Sequence, residues 1–269
     1  MNRFLLAAAL CSLSLSACAR QSAPDSAGQK ITVGPKMVAE PTYAAGTPEA
    51  RARAVLRKLN PQIRVERIDA AQIPGFREVI ASGQVVYISD DGKYMLQGPL
   101  LEVAGRKDLS ETAMAKVRNE ILKTLPVADR IVFAPVDKPR HTVVVLTDIE
   151  CGYCRKFHED IAEYTRRGIE VEYLAFPRNG LASADYRNMV SVWCAPDRKK
   201  ALTDAKHGRA VPSRTCQTPV DMQYRAGQRM GLTGTPMILS TRGELLGGYL
   251  PPDELLKRLD ALEAPVGGA

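Results

Sequence analysis

The sequence predicts an α/β protein of two domains, and three observations lead there. Residues 141–176 read strand, helix, strand: "HTVVVLTDI", then "CRKFHEDIAEYTRRG", then "IEVEYLAF", the order of a βαβ unit. Residues 47–103 read separately, as one helix followed by short strands, an α+β pattern. Between the two, "DLSETAMAKVRNEILKTLP" sets Met114, Val117, Ile121, Leu122 and Leu125 near helical spacing and closes on Pro126. A chain of 269 residues with 45% hydrophobic content has the material for two modest cores.

The elements follow in chain order. "MNRFLLAAALCSLSLSAC" carries one charge, at Arg3, and then an apolar stretch shorter than the roughly 20 residues a membrane helix needs. Residues 1–17 therefore read as a secretory signal peptide. Leu15, Ser16, Ala17 and Cys18 resemble the lipobox of bacterial lipoproteins, in which the signal is cut before a cysteine whose sulfur carries a diacylglycerol. An ordinary cut near Ala17, leaving a free thiol at Cys18, is the other reading, and both put the mature protein outside the cytoplasm. Residues 18–46 are rich in Ala, Ser, Gly and Pro without apolar period, a lipid-anchored flexible tether with a reach of about 30 Å.

Residues 47–106 form the first domain. Thr47 is placed as N-cap and Pro48 as first helical residue, with Ala54, Val55 and Leu59 on one side. Strands are expected in "RVERI", "VVYIS" and "KYMLQGPLLEV", the last two joined by a turn at Asp90, Asp91 and Gly92. So small a unit buries little alone, which favours self-association. Residues 107–127 form a linker helix with Ser110 as its N-cap; periodicity alone equally allows a core helix of either domain.

Residues 128–264 form the second domain. "ADRIVFAPV" and "HTVVVLTDI" are strand candidates, and the consecutive branched residues of the second suit a strand buried on both faces. Phe157, Ile161 and Tyr164 give the following segment one helical face, with Gly168 as its stop. A mostly helical insertion occupies 182–219. "DMQYRAGQRMG" reads as a helix, "PMILS" and "ELLGGYL" as strands, and "PPDELLKRLDALE" as a closing helix with Leu255, Leu256, Leu259 and Leu262 facing the sheet. A fragment beginning near Ala128 is accordingly expected to keep a complete domain.

The charge is mildly basic, but acids and bases are interspersed without a long basic run; a solvated surface is expected, not a nucleic-acid interface. Of six cysteines, Cys11 lies in the signal and Cys18 at the lipid position. The remaining four, Cys151, Cys154, Cys194 and Cys216, allow three pairings. Zinc is disfavoured, because Cys194 and Cys216 stand far apart and His141, His158 and His207 form no second close pair; no metal is expected. A bridge between Cys194 and Cys216 closes a loop worth about 3 kcal/mol and reads as structural, whereas a C-x-x-C bridge constrains the unfolded chain little.

Position argues that the close pair is reactive. A C-x-x-C that follows a buried strand and opens a helix sets its first sulfur over unpaired backbone amides at the positive end of the helix. Cys151 is therefore the expected nucleophile with a lowered pKa, and Cys154, one turn in and more buried, the resolving thiol. Asp148 and Glu150 oppose the thiolate; Arg155 and Lys156 favour it.

"CGYC" at this junction, "GLTGTP" about 80 residues later and the earlier "YISDDGKYMLQGP" resemble the DsbC-type periplasmic protein-disulfide isomerases, over residues 47–262. The resemblance implies a thioredoxin-like catalytic domain with a helical insertion, a linker helix, and a small N-terminal cystatin-like dimerisation domain making a V-shaped homodimer. It implies that Pro236 is cis after Thr235, beside the cysteines, and that Gly152, Tyr153, Thr235 and Pro236 meet the substrate. It implies an enzyme that reshuffles misbridged secreted proteins without a cofactor and is kept reduced by a membrane-bound electron donor of the DsbD type. The lipobox departs from the freely soluble members; Ala19 after Cys18 suggests tethering at the outer membrane, facing the periplasm. Two other activities fit the residues: reduction of sulfenylated single cysteines, and a lipid-anchored chaperone with incidental cysteines.

Overall fold

The computed structural model describes residues 40–263. The signal peptide, Cys18 and tether residues 18–39 lie outside the described residues. The N-terminal region comprises α1 (Pro48–Leu59) and an antiparallel sheet of β1 (Val65–Ala70), β2 (Phe76–Ala81), β3 (Gln84–Ser89) and β4 (Met95–Gln97), in that spatial order. Thr47 caps α1, its hydroxyl accepting from the Ala50 N–H, and Gly92 makes the β3–β4 turn at φ +73°. The buried face of α1 is Ala52 and Leu56 with Val55 beside them, whereas Leu59 is 65% exposed and Ala54 faces out. The expected face is thus rotated: the sheet packs against the stripe one turn earlier, where Val79, Val86 and Ile88 fill the cluster.

A strand absent from the sequence reading, β2, pairs with both β1 and β3. It turns into β3 through Ser82 and Gly83, both at positive φ, the geometry of a two-residue hairpin. The pairs β5 (Leu101–Glu102) and β6 (Lys107–Asp108) follow, and β6 runs straight into α2 (Leu109–Lys123). The cap of α2 is Asp108, whose carboxylate accepts from the Glu111 N–H at 2.9 Å. Ser110, the expected cap, has its hydroxyl taken by Tyr87 Oη at 2.7 Å and the Leu100 N–H at 2.8 Å. A charged acceptor at the helix start is also favoured by the dipole.

The second sheet has five strands in the order β11 (Leu245–Gly247), β10 (Met237–Ser240), β8 (His141–Thr147), β9 (Ile169–Ala175) and β7 (Ile131–Phe133); only β8 and β9 run parallel. Residues 143–146 are all buried, as two covered faces require. Val143 and Val145 point into a core with α3 (Gly152–Glu159), α4 (Ile161–Arg166), α5 (Ala184–Trp193), α6 (Arg198–Lys206) and α8 (Pro252–Glu263), where Phe157, Tyr164, Trp193, Leu202 and Leu259 lie. Val144 and Leu146 point to the other face, covered by Met114, Val117, Ile121 and Leu122 of α2 and by Ala226 of α7 (Val220–Arg229).

Helix α2 is therefore a layer of the catalytic sheet as well as a connector. Arg130 locks its end, donating to the carbonyls of Leu122 and Leu125 and pairing with the buried Glu172. The run expected as one helix after the cysteines breaks at Asp160, which ends α3 and starts α4; its carboxylate accepts from Tyr249 Oη. In α8, Leu255 and Leu259 are buried while Leu262 is exposed at the frayed end.

In the insertion Cys194 and Cys216 are bridged, with Cα atoms 5.7 Å apart and a sequence separation of 22. Replacing both by alanine is expected to lower stability by about 3 kcal/mol through the released unfolded loop, measured as a shift in the denaturant midpoint relative to the wild type with its Cys194–Cys216 bridge intact. An unchanged midpoint would mean the loop is ordered without its bridge.

Candidate active site

β8 ends at Thr147, and four residues later Cys151 stands as the N-cap of α3 at φ −79°, ψ 123°. The backbone N–H of Cys154, in the first turn, favours the ionised form of the Cys151 sulfur. Cys151 is 4% exposed and Cys154 fully buried, so the order of exposure expected holds, though Cys151 is also largely covered. The loop before β10 closes over the pair: the peptide between Thr235 and Pro236 is cis, and the Thr235 carbonyl accepts from the Cys151 thiol at 3.1 Å. The Thr235 hydroxyl is buried without another partner among the described residues; it supplies a donor once the thiol ionises.

These contacts hold the Cys151 thiol well below its usual range, at about 5. The largest cause is the hydrogen bond from the Cys154 thiol; the Thr235 side chain, the Cys154 N–H and the Arg178 charge add to it against the opposing effect of burial. Cys154 moves the other way, raised first by burial and then by donating to Cys151. Two sulfurs one turn apart are thus shifted in opposite directions: one favours the thiolate, the other keeps its proton.

Arg155 and Lys156, the expected sources of positive charge, are engaged elsewhere. The Arg155 guanidinium donates to the Ile149 carbonyl and to Glu150, and Lys156 stands near Glu159 and Asp160. A cation that acts on Cys151 is Arg178, which comes from the loop after β9 and grips the buried Asp148 carboxylate with its Nε at 2.7 Å and its backbone N–H at 3.1 Å. That grip also offsets Asp148, expected to oppose the thiolate. Asp185, at the start of α5, is raised to about 7, first by burial and then by the nearby Asp148 carboxylate.

Among the other expected contacts, Gly152 opens α3 with free space where a side chain would stand. Tyr153 is 68% exposed and stacks on Tyr249, ring centroids 6.3 Å apart. Cys151, Cys154, Thr235 and Pro236 are thus brought together with Tyr153 beside them, while the bridged Cys194 and Cys216 belong to the insertion. Sequence reasoning missed Arg178, Thr147 and Lys206. Arg178 follows a strand at no motif spacing from the cysteines. Lys206, 52 residues beyond Cys154, arrives only because α6 folds back under α3. Among the described residues no group of acidic, histidine and cysteine side chains is arranged to hold a metal ion.

Comparison with known proteins agrees with this geometry. Residues 43–111 match the family of disulfide bond isomerase protein N-terminal domains, and residues 129–263 match the thioredoxin-like domain. The chain is 39% identical over 210 residues to the thiol:disulfide interchange protein DsbC of Escherichia coli K12, covering 77% of this chain and 86% of that protein. It is 37% identical over 221 residues to DsbC of Dickeya dadantii, covering 82% and 91%. Among solved structures, a disulfide interchange protein from Neisseria gonorrhoeae is 25% identical and superposes with a TM-score of 0.46 over 51% of this chain and 97% of the other. With a thioredoxin-like domain carrying a C-x-x-C at its helix start, and with relatives matched across both domains, the chain belongs to the DsbC-type thiol:disulfide interchange proteins.

Proposed function

We propose that the protein is a thiol-disulfide isomerase and reductase that attacks incorrect disulfides in secreted proteins through Cys151. The observation that carries this is the Cys151 sulfur at the start of α3, 3.1 Å from the Thr235 carbonyl before the cis Pro236, where its pKa is lowered to about 5. The thiolate attacks one sulfur of a substrate disulfide, the other leaves as a thiolate, and a mixed disulfide joins Cys151 to the chain. A substrate thiolate then displaces Cys151 to give a rearranged bridge, or Cys154 displaces the substrate and leaves it reduced. The second exit oxidises the pair, so a donor of the DsbD type completes the cycle. Gly152, Tyr153, Thr235 and Pro236 supply the contact surface.

A homodimer fits the N-terminal sheet. β4 is an edge strand, and Tyr94 just before it, Met95 and Leu96 on it and Leu101 and Val103 after it are exposed apolar residues, a surface that a second copy can cover. Leu96→Glu is expected to give a monomer by light scattering that still reduces a small disulfide but retains misbridged chains poorly; a dimer of undiminished mass would place the interface elsewhere. The N-terminal residues fit periplasmic anchoring through lipid at Cys18.

The reading is tested by reactivation of a scrambled multi-disulfide protein. The reduced protein should restore its activity and Cys151→Ser should not. Reduction of a sulfenylated protein without repair of the scrambled one would favour the single-cysteine reductase. Protection from aggregation that survives Cys151→Ser, without repair, would favour the chaperone.

A further inference from the structure

Lysine is seldom fully buried, because removing an ammonium from water is costly unless a partner compensates. Lys206, the last residue of α6, is 4% exposed and sits beneath the cysteine pair. Its Nζ donates to the Thr147 hydroxyl at 2.6 Å and to the Asp148 carbonyl at 2.8 Å. Among the described residues no carboxylate lies within ion-pair distance of it. The ionisable groups that face it are Cys154, Asp148, Cys151 and Arg155, and its charge is felt by His158. Of these, Asp148 is already gripped by Arg178. His158 is kept neutral by burial, down to about 3, with its ring nitrogens bonded to Tyr173 Oη and Thr203 Oγ1. Tyr173 is buried and held protonated. The groups left for the ammonium to compensate are the two sulfurs.

The Thr147 hydroxyl connects lysine to sulfur. It accepts from Nζ at 2.6 Å, and it acts on Cys154 in the direction that favours the thiolate, so its own proton is available to a sulfur that becomes negative. The resulting order, ammonium, hydroxyl, resolving thiol, runs from α6 through the end of β8 to α3.

We infer that Lys206 is a positioning residue for the resolving step, stabilising through the Thr147 hydroxyl the charge that forms on Cys154. The inference rests on the assignment of Cys151 as nucleophile and Cys154 as resolving thiol. When Cys154 resolves a mixed disulfide its S–H bond breaks, and its electron pair forms the bond to Cys151. The bond between Cys151 and the substrate sulfur breaks, the substrate leaves as a thiolate, and it takes up the proton that Cys154 released. Lys206 stays an ammonium throughout. Burial lowers it only to about 8, so it is charged at neutral pH. A deeply buried thiol that must ionise briefly is given a fixed positive charge at the end of a hydrogen bond; the resting thiol keeps its proton, and the cost of the transient thiolate falls.

The test separates attack from resolution in the reduced full chain, using 5,5′-dithiobis(2-nitrobenzoate) in a stopped-flow instrument. The first nitrothiolate released reports attack by Cys151, and the second reports displacement by Cys154. Lys206→Met is expected to slow the second phase about 10- to 100-fold at neutral pH, the loss of one hydrogen bond to a charged group, and to slow the first phase much less. The pH midpoint of the second phase should move upward. Thr147→Val should reproduce the defect with the lysine in place, and Thr147→Ser should restore the rate. A second phase unchanged in both Lys206→Met and Thr147→Val, or slowed no more than the first, would overturn the inference. If Lys206→Met does not fold, Thr147→Val and Thr147→Ser decide alone. Cys151→Ala should abolish the first phase; a first phase that survives it would instead sink the assignment of the nucleophile.

Discussion

Replacing Cys154 by alanine is expected to leave the protein caught on its substrates as mixed disulfides. Cys151 keeps the helix start, the Cys154-position N–H, Thr235 and Arg178, so attack continues. What is lost is the sulfur one turn away that releases a stalled chain. Non-reducing gels should show adducts that disappear with reductant, and turnover of a small disulfide should fall by about 100-fold or more, as when one member of a unit acting together is removed. Cys151→Ala should form no adducts. Equal trapping by Cys151→Ala would reverse the assignment of the two sulfurs.

The second large effect concerns where the catalytic domain begins. A fragment starting at Ala128 lacks α2, and with it Ala113, Met114, Val117, Ile121 and Leu122, together with Leu125, all packed against Val144, Leu146, Leu174 and Leu239. Loss of a single large apolar side chain from a core costs about 2–5 kcal/mol, and a whole domain is stable by only about 5–15 kcal/mol. Such a fragment should not unfold cooperatively, whereas one starting at Arg106 keeps Asp108, the cap and the covering layer. Thermal melts followed by circular dichroism distinguish them. A cooperative melt of the shorter fragment, with its thiol chemistry intact, would show that α2 is only a connector.

That difference shows which parts of the fold were legible. The period of α2 was plain, but periodicity reports that a face is apolar and not which domain it covers. The buried strand 143–146 was legible because four branched or aliphatic residues in a row leave no polar face. β2 was not, since Arg77 and Glu78 interrupt its apolar pattern: Arg77 bonds Asp90 and Glu49, and Glu78 meets Tyr87. The register of α1 was misplaced because Ala52 is as small as Ala54, and the sheet decides between them. At the site, the cysteine pair and its helix start were readable as local facts. Arg178 and Lys206 reach it from the loop after β9 and from the insertion, and no spacing in the chain announces a contact made by tertiary folding.

The central claim is that Cys151 is the ionised sulfur of the pair in the reduced protein. The measurement is the rate of alkylation of the reduced wild-type protein as a function of pH, with the modified residue located by mass mapping. The wild type is required, since the hydrogen bond from Cys154 is the largest cause of the shift. A thiol with a depressed pKa stays ionised as the pH falls until that pKa is reached, so the rate at Cys151 should hold steady through neutral pH and drop with a midpoint near 5. A midpoint near the ordinary thiol value of about 8.5, or faster modification of Cys154 than of Cys151, would contradict the account.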